Sequence, residues 1–208
     1  MKTEKFGLIT DYCKGKDVLD IGCIGDKVES EGGQIGLFSA IERVAKSVVG
    51  VDNNQKRIES IRPLGKNIVF GDAERLGDLK FRKEFEVIVA SELIEHLNNP
   101  GMFLKGVNDS LQEDGRAVIT TPNAFFSIYY MYMLLRMKPQ IWPEHTCLFD
   151  EITATELFRR HGFEVERFEY MNDFSNISAP IKFLFSLWNR RFGTYLFFVL
   201  RKSGTVKR

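Results

Sequence analysis

Short runs of apolar and β-branched residues alternate along the chain with stretches whose apolar positions recur at helical spacing. The runs at Lys16–Ile21, Ser47–Asp52, Asn67–Phe70, Phe85–Ala90 and Arg116–Thr121 predict five strands. Between them, Leu37, Ala40, Ile41, Val44 and Ala45 share one helical face. Asn99-Pro100 supplies an N-cap and first turn for a helix running to about Leu111, and Asp114-Gly115 turns the chain into the next strand. Such alternation predicts an α/β fold with a mostly parallel sheet and helices on both of its faces.

The rhythm changes after Thr121. Pro122-Asn123 opens an aromatic and Met-rich segment, Ala124 to Trp142. A helix follows, with Thr153 and Glu156 expected as its capping box and Gly162 as its stop. Strands at Phe163–Tyr170 and Thr194–Arg201 close the chain, with an amphipathic helix expected over Pro180–Phe192.

Composition narrows the function classes. In 208 residues, 29 Lys and Arg face 28 Asp and Glu, a net charge of +1 that argues against a nucleic-acid partner. Hydrophobic residues at 44% and charged residues at 27% fit an ordinary globular domain, unusual only in its 18 Phe. Cys13, Cys23 and Cys147 have neither disulfide-framework nor metal-ligand spacing, and no metal site is expected. The N-terminus lacks a signal-peptide apolar run, and no stretch reaches the roughly 18 apolar residues of a membrane span, so a cytoplasmic protein is expected. The charge is unevenly spread. Ile181–Arg208 holds seven basic residues and no acidic one, which leaves the first 180 residues net acidic. That basic, Phe-rich end, beside the aromatic segment, suggests peripheral contact with an anionic membrane or a lipid-phosphate substrate; an ordinary solvated strand end is the plainer alternative.

Candidate chemistry lies at the strand ends, because open α/β sheets bind ligands beyond the carboxyl ends of their strands. The first strand ends in Asp20-Ile21-Gly22-Cys23-Ile24-Gly25, the second in Asp52, the third in Gly71-Asp72-Ala73, and the fourth in Ser91-Glu92. Gly22 and Gly25 allow a tight turn and close backbone approach to a ligand. Asp52 is placed to hydrogen-bond a ribose. Asp72 serves either an adenine amino group or the surface, and each lone Asp could equally be a helix N-cap.

These segments resemble the class I S-adenosylmethionine-dependent methyltransferases. VLDIGC at Val18–Cys23 looks like their first motif, VVGVD at Val48–Asp52 their second-strand acid, and GDAERL at Gly71–Leu76 their adenine loop. Phe85–Pro100 and Leu111–Asn123 are similar to the fourth and fifth strand segments. The branch most alike contains ubiquinone-biosynthesis O-methyltransferases and enzymes of sugar and surface-polysaccharide pathways.

The resemblance implies a Rossmann-like, seven-stranded sheet whose last strand is antiparallel, and a single domain over 1–208. Residues 16–123 would form the cofactor core, 124–148 an apolar acceptor-side lid, and 149–208 the closing helices and strands. It implies S-adenosylmethionine as cofactor and S-adenosylhomocysteine as product. Asp20, Gly22, Cys23 and Gly25 would border the methionine part, Asp52 and Asn53 the ribose, and Asp72 and Ala73 the adenine. Ser91, Glu92 and His96 would line the methionine end. Two departures stand out: Asp26-Lys27 where the family continues with glycine, and a polar insertion over Asp26–Gly36 that serves as a lid or a plain loop. A dinucleotide cofactor is disfavoured, since Val28 stands where its fingerprint needs a third glycine.

There are three histidines. His161 reads as a C-terminal helix cap. His145, in Trp142-Pro143-Glu144-His145-Thr146, is the candidate base for an acceptor proton, or a structural pin for the lid. The aromatic segment serves as an adaptable acceptor cover, a buried core helix or a homodimer contact. The expected reaction is O-methylation of a small molecule, a sugar or a lipid-linked intermediate. A catalytically silent scaffold of the same fold is the alternative; RNA methylation is disfavoured by the charge balance.

Overall fold

The computed structural model describes residues 2–24, 36–81, 83–139, 141–172 and 190–204. The strands β1 (Asp17–Ile21), β2 (Ser47–Asp52), β3 (Ile68–Phe70), β4 (Phe85–Ser91), β5 (Leu111–Pro122), β6 (Phe163–Met171) and β7 (Tyr195–Lys202) form one sheet. Their spatial order is β3-β2-β1-β4-β5-β7-β6. Strands β1 to β5 pair in parallel, and β7 enters antiparallel between β5 and β6. This is the Rossmann-like sheet with a reversed last strand that the family resemblance implied.

One strand starts earlier than its pattern predicts. Helix α4 (Pro100–Ser110) runs straight into β5, so Leu111 already pairs with Phe85. The ladder then shifts register, and Arg116 pairs with Val87. The turn expected at Asp114-Gly115 is therefore absorbed as an irregularity inside β5.

Among the described residues there are five further α-helices: α1 (Lys2–Cys13), α2 (Gly36–Glu42), α3 (Gln55–Ile61), α5 (Ser127–Leu134) and α6 (Glu151–Arg160). The sequence pattern did not predict α1. Its amphipathicity is weak, and burial of Ile9 and Cys13 against the sheet holds it. The start of α4 is as expected: Asn99 Oδ1 accepts from Met102 N at 3.0 Å, and Pro100 stands in the first turn. The cap of α6 lies three residues before the expected pair. Asp150 accepts from Thr153 N, while Thr153 Oγ1 accepts from Asp150 N, and Glu156 instead binds Arg159 and Arg160. Gly162, at φ +81°, ends the helix where the sequence placed its stop. The helix expected over Pro180–Phe192 lies outside the described residues, except that Arg190–Phe192 forms a 3-10 turn.

Strand alternation builds two cores. On β7, Leu196, Phe198 and Leu200 face one cluster with Phe103, Leu104 and Phe158. Phe197 and Val199 face the other, with Ile9, Phe38 and Ile41. Seven of the largest fully buried side chains are Phe, so the core absorbs much of that excess. Part of the basic C-terminal end is ion-paired: Arg201 binds Glu164, and Lys202 binds Glu113. Lys182, Lys207 and Arg208 lie outside the described residues. Among the described residues, no helix is long and apolar enough to cross a membrane.

Candidate active site

The parallel register brings the carboxyl ends of the central strands to one edge. Ile21 pairs with both Val51 and Ala90, Asp52 with Phe70, and Ser91 with Thr120. Strand order reverses between β1 and β4, the place beside which open α/β sheets bind ligands.

Gly22 opens the turn after β1. Its φ is +72°, and a Cβ there would lie 3.0 Å from Leu93 Cδ1. Its N–H donates to Val51 O at 2.8 Å. Asp52 then clamps the turn: Oδ2 accepts from Ile24 N at 3.0 Å, and Oδ1 accepts from Asn54 N at 2.9 Å. Gly25 and residues 26–35 of the insertion lie outside the described residues. Asn53 is exposed beside Asp52.

Asp20 is 2% exposed, and its Oδ2 has no hydrogen-bond partner among the described residues. Burial, reinforced by the charge of Asp52, pushes its carboxyl up to about 8. Cys23 is buried beside the pair, and burial with both carboxylates pushes its thiol up, which suits packing rather than nucleophilic chemistry.

At the third strand end, Asp72 caps the 3-10 turn that follows, accepting from Glu74 N at 2.9 Å. Asp72 itself is exposed, and Ala73 packs beneath it. At the fourth, Ser91 Oγ lies 2.9 Å from Thr120 Oγ1. Glu92 adopts φ +55°, a conformation that costs a non-glycine residue about 1 kcal/mol or more. Its N–H donates to Thr120 O, and its carboxylate pairs with Lys5 of α1. The Lys5 ammonium also sits 4.5 Å from the centre of the Tyr195 ring. The helix absent from the sequence reading thus reaches the edge of the site.

One turn onward, His96 and His145 stand edge to face, 4.7 Å between ring centres. The segment that follows β5 is stitched to the exit of β4: Thr146 N donates to Glu95 O at 2.8 Å, and Thr146 Oγ1 donates to Leu97 O at 2.6 Å. Glu95 is 1% exposed. Thr121 Oγ1 donates to its Oε2 at 2.8 Å, Oε1 has no partner among the described residues, and burial pushes the carboxyl up to about 7. His145 is held below its ordinary range by burial and by His96, and its buried Nδ1 has no partner among the described residues. The Tyr129 phenol of α5 is pushed up by burial and by the charge of Glu95.

Donor atoms of Glu95, His96 and His145 all lie within 4.8 Å of one another. One carboxylate oxygen and two imidazole nitrogens form a set that can hold a divalent transition metal, or pass a proton between neighbours. The sequence reading expected no metal ligands and did not single out Glu95. Half of the signal was visible, an acid beside a His in Glu95-His96. The other half arrives from His145, which only the fold brings near.

Comparison with known proteins agrees with this geometry. The family model described as a methyltransferase domain matches residues 8–167. The chain is 32% identical over 120 residues to the ubiquinone biosynthesis O-methyltransferase of Pelagibacter ubique, covering 56% of this chain and 46% of that one. It is 26% identical over 132 residues to the enzyme of that name from Glaesserella parasuis, covering 61% and 56%. The chain thus spans about half the length of these curated relatives. Among solved structures, a methyltransferase from Archaeoglobus fulgidus superposes with a TM-score of 0.67 at 18% identity, over 96% of this chain and 92% of that one. Magnesium protoporphyrin IX methyltransferase from Synechocystis, with bound S-adenosylhomocysteine, gives 0.65 at 10% identity, over 97% and 83%. A chain from the complex of the Haloferax volcanii Trm112 methyltransferase activator gives 0.69 at 16% identity, over 100% and 91%. At these identities the solved structures speak for the fold; the family match over most of the chain establishes membership, and the protein belongs to the methyltransferase-domain family of class I S-adenosylmethionine-dependent enzymes.

Proposed function

We propose that the chain carries out O-methylation of a small molecule, a sugar or a lipid-linked intermediate. The observation that carries this reading is the meeting, at one sheet edge, of the acid pair Asp20 and Asp52 with the Glu95–His96–His145 group, in which Glu95 is buried and both imidazoles are half-buried. The names of the relatives support oxygen as the methylated atom.

The residues suit S-adenosylmethionine. Asp20 offers a buried, unpartnered carboxyl oxygen beside the Gly22 turn. Asp52 is held by two backbone N–H groups, so its carboxylate is oriented in advance for ribose hydroxyls. Asn53, Ala73, Asp72, Ser91, Glu92 and His96 complete the proposed cradle, with Cys23 packed behind it. When bound, the cofactor supplies a methyl group on a sulfonium, open to in-line attack.

On the acceptor side, His145 takes the hydroxyl proton. Its lowered pKa keeps the imidazole neutral near pH 7, and neutral imidazole is the form that accepts a proton. The segment over residues 124–148 covers the acceptor. Calorimetry with S-adenosylhomocysteine tests the core of this reading: binding that Asp52→Ala weakens is expected. The competing reading is a silent scaffold, which the neighbour in complex with an activator keeps in view. A protein that binds no S-adenosylhomocysteine would favour it.

A further inference from the structure

Sequence alone placed any membrane-facing surface at the basic C-terminal end. There, Arg201 and Lys202 are tied to Glu164 and Glu113, and their positive charge is already answered. The surface with both apolar side chains and unanswered charge lies elsewhere, at the outer end of α5. Leu134 is 83% exposed, Leu135 65%, and Met137 and Trp142 both 53%. Exposed apolar residues are ordinary when scattered singly, but four large ones within nine residues of chain are a local concentration that points to an occupant.

The patch is displayed on an ordered turn. Leu135 N donates to Met131 O at 3.0 Å, Arg136 N to Met133 O at 3.0 Å, and Met137 N to Tyr132 O at 2.8 Å. Arg136 adopts φ +57° in making that turn. At the other end of α5, Phe126 and Ser127 are buried, and Asn123 Nδ2 donates to Arg191 O and Gly193 O, both at 2.8 Å. The helix is thus anchored at its inner end and projects its outer one.

Charge selects the occupant. Arg136 and Lys138 are exposed among the apolar side chains and make no ion pair among the described residues. Residues 124–142 contain no Asp or Glu. Apolar side chains at the tip, two cations flanking them and a Trp beside them are the composition of a segment that lies in a membrane interface. We propose that the tip formed by Leu134, Leu135, Arg136, Met137, Lys138 and Trp142 docks on an anionic lipid bilayer. The apolar side chains enter the headgroup–acyl boundary while both cations meet lipid phosphates.

The test uses the whole chain and large vesicles of phosphatidylcholine, with and without phosphatidylglycerol. The protein is expected to sediment with the anionic vesicles, and less so as salt rises, because exposed charges are screened. Arg136→Gln with Lys138→Gln is expected to lower partitioning about thirtyfold, taking about 1 kcal/mol per cation near the surface. Leu134→Glu with Leu135→Glu is expected to abolish it, and Trp142 fluorescence in a Trp188→Phe background to move to the blue on binding. Equal sedimentation with both vesicle types, or full binding by either double variant, would overturn the proposal. So would a stable dimer that Leu134→Glu dissociates, since a second copy would then be the occupant. S-adenosylhomocysteine binding by the same variants is expected to be unchanged, so the docking and the methyl-transfer reading fail separately.

Discussion

Replacing Asp20 with Asn is expected to stabilise the ligand-free protein while damaging the site. In the fold, the Asp20 carboxyl is 2% exposed, with one oxygen unpartnered and its pKa pushed up to about 8 by burial and by Asp52. In the unfolded chain it titrates near the ordinary carboxyl value of 3.8. Between these values the native state holds a proton that the unfolded state has released, so stability falls as pH rises. The slope from this group is about −1.4 kcal/mol per pH unit. At pH 7 the accumulated cost is about 4 kcal/mol by the same relation, an upper figure. The Asn amide must also be buried, which leaves an expected net gain of about 1–3 kcal/mol.

Urea unfolding of ligand-free wild type and Asp20→Asn, from about pH 5 to about pH 7, reads this directly. Glu95, raised to about 7, adds a slope of the same sign, whereas His145, held low, adds one of opposite sign near its ordinary value. Both are shared by the two proteins and cancel in the difference. The variant's advantage is expected to grow with pH across the window. A flat difference, or a variant less stable than wild type at pH 7, would refute the placement of a desolvated carboxyl at Asp20. Calorimetry on the same variant is expected to show weaker S-adenosylhomocysteine binding, the trade of stability for function common at binding sites.

Asp52→Ala removes the acceptor for Ile24 N and Asn54 N, and is expected to weaken S-adenosylhomocysteine binding tenfold or more by calorimetry. Gly22→Ala meets both the positive φ and Leu93, and a loss of about 1–3 kcal/mol is expected in urea unfolding, with weaker cofactor binding; unchanged stability would count against the turn geometry. His145→Ala is expected to lower turnover with an alcohol or phenol acceptor by about a hundredfold while leaving S-adenosylhomocysteine affinity unchanged, and full turnover would remove the base role.

Much of the scaffold was legible because its signals are local. Parallel strands buried on both faces read as apolar runs, and Ser47–Asp52 is identical in pattern and structure. Asn99-Pro100 and Gly162 mark helix ends through their own backbone chemistry. Where two local signals compete, the pattern alone misplaces the cap. Thr153 can begin one box with Glu156 or close another with Asp150, and the latter formed because the helix starts at Glu151. The N-terminal helix escaped notice because its stability is tertiary: Ile9 and Cys13 are apolar residues with little pattern until a sheet lies beneath them.

By itself the sequence determined the alternation of strands and helices, and with it the edge at which Asp20, Gly22, Asp52 and Ser91 gather. Strand order follows from short right-handed connections, so residues at strand ends become neighbours without any long-range information. Tertiary structure alone decided the rest. Lys5 reaches Glu92 across 87 positions, and His145 closes on Glu95 and His96 from the far side of β5. It also answered the charge of Arg201 and Lys202 while leaving Arg136 and Lys138 open beside Leu134. The physical reason is the same throughout: local pattern fixes which face a side chain takes, but burial and charge pairing depend on what the rest of the chain lays against that face.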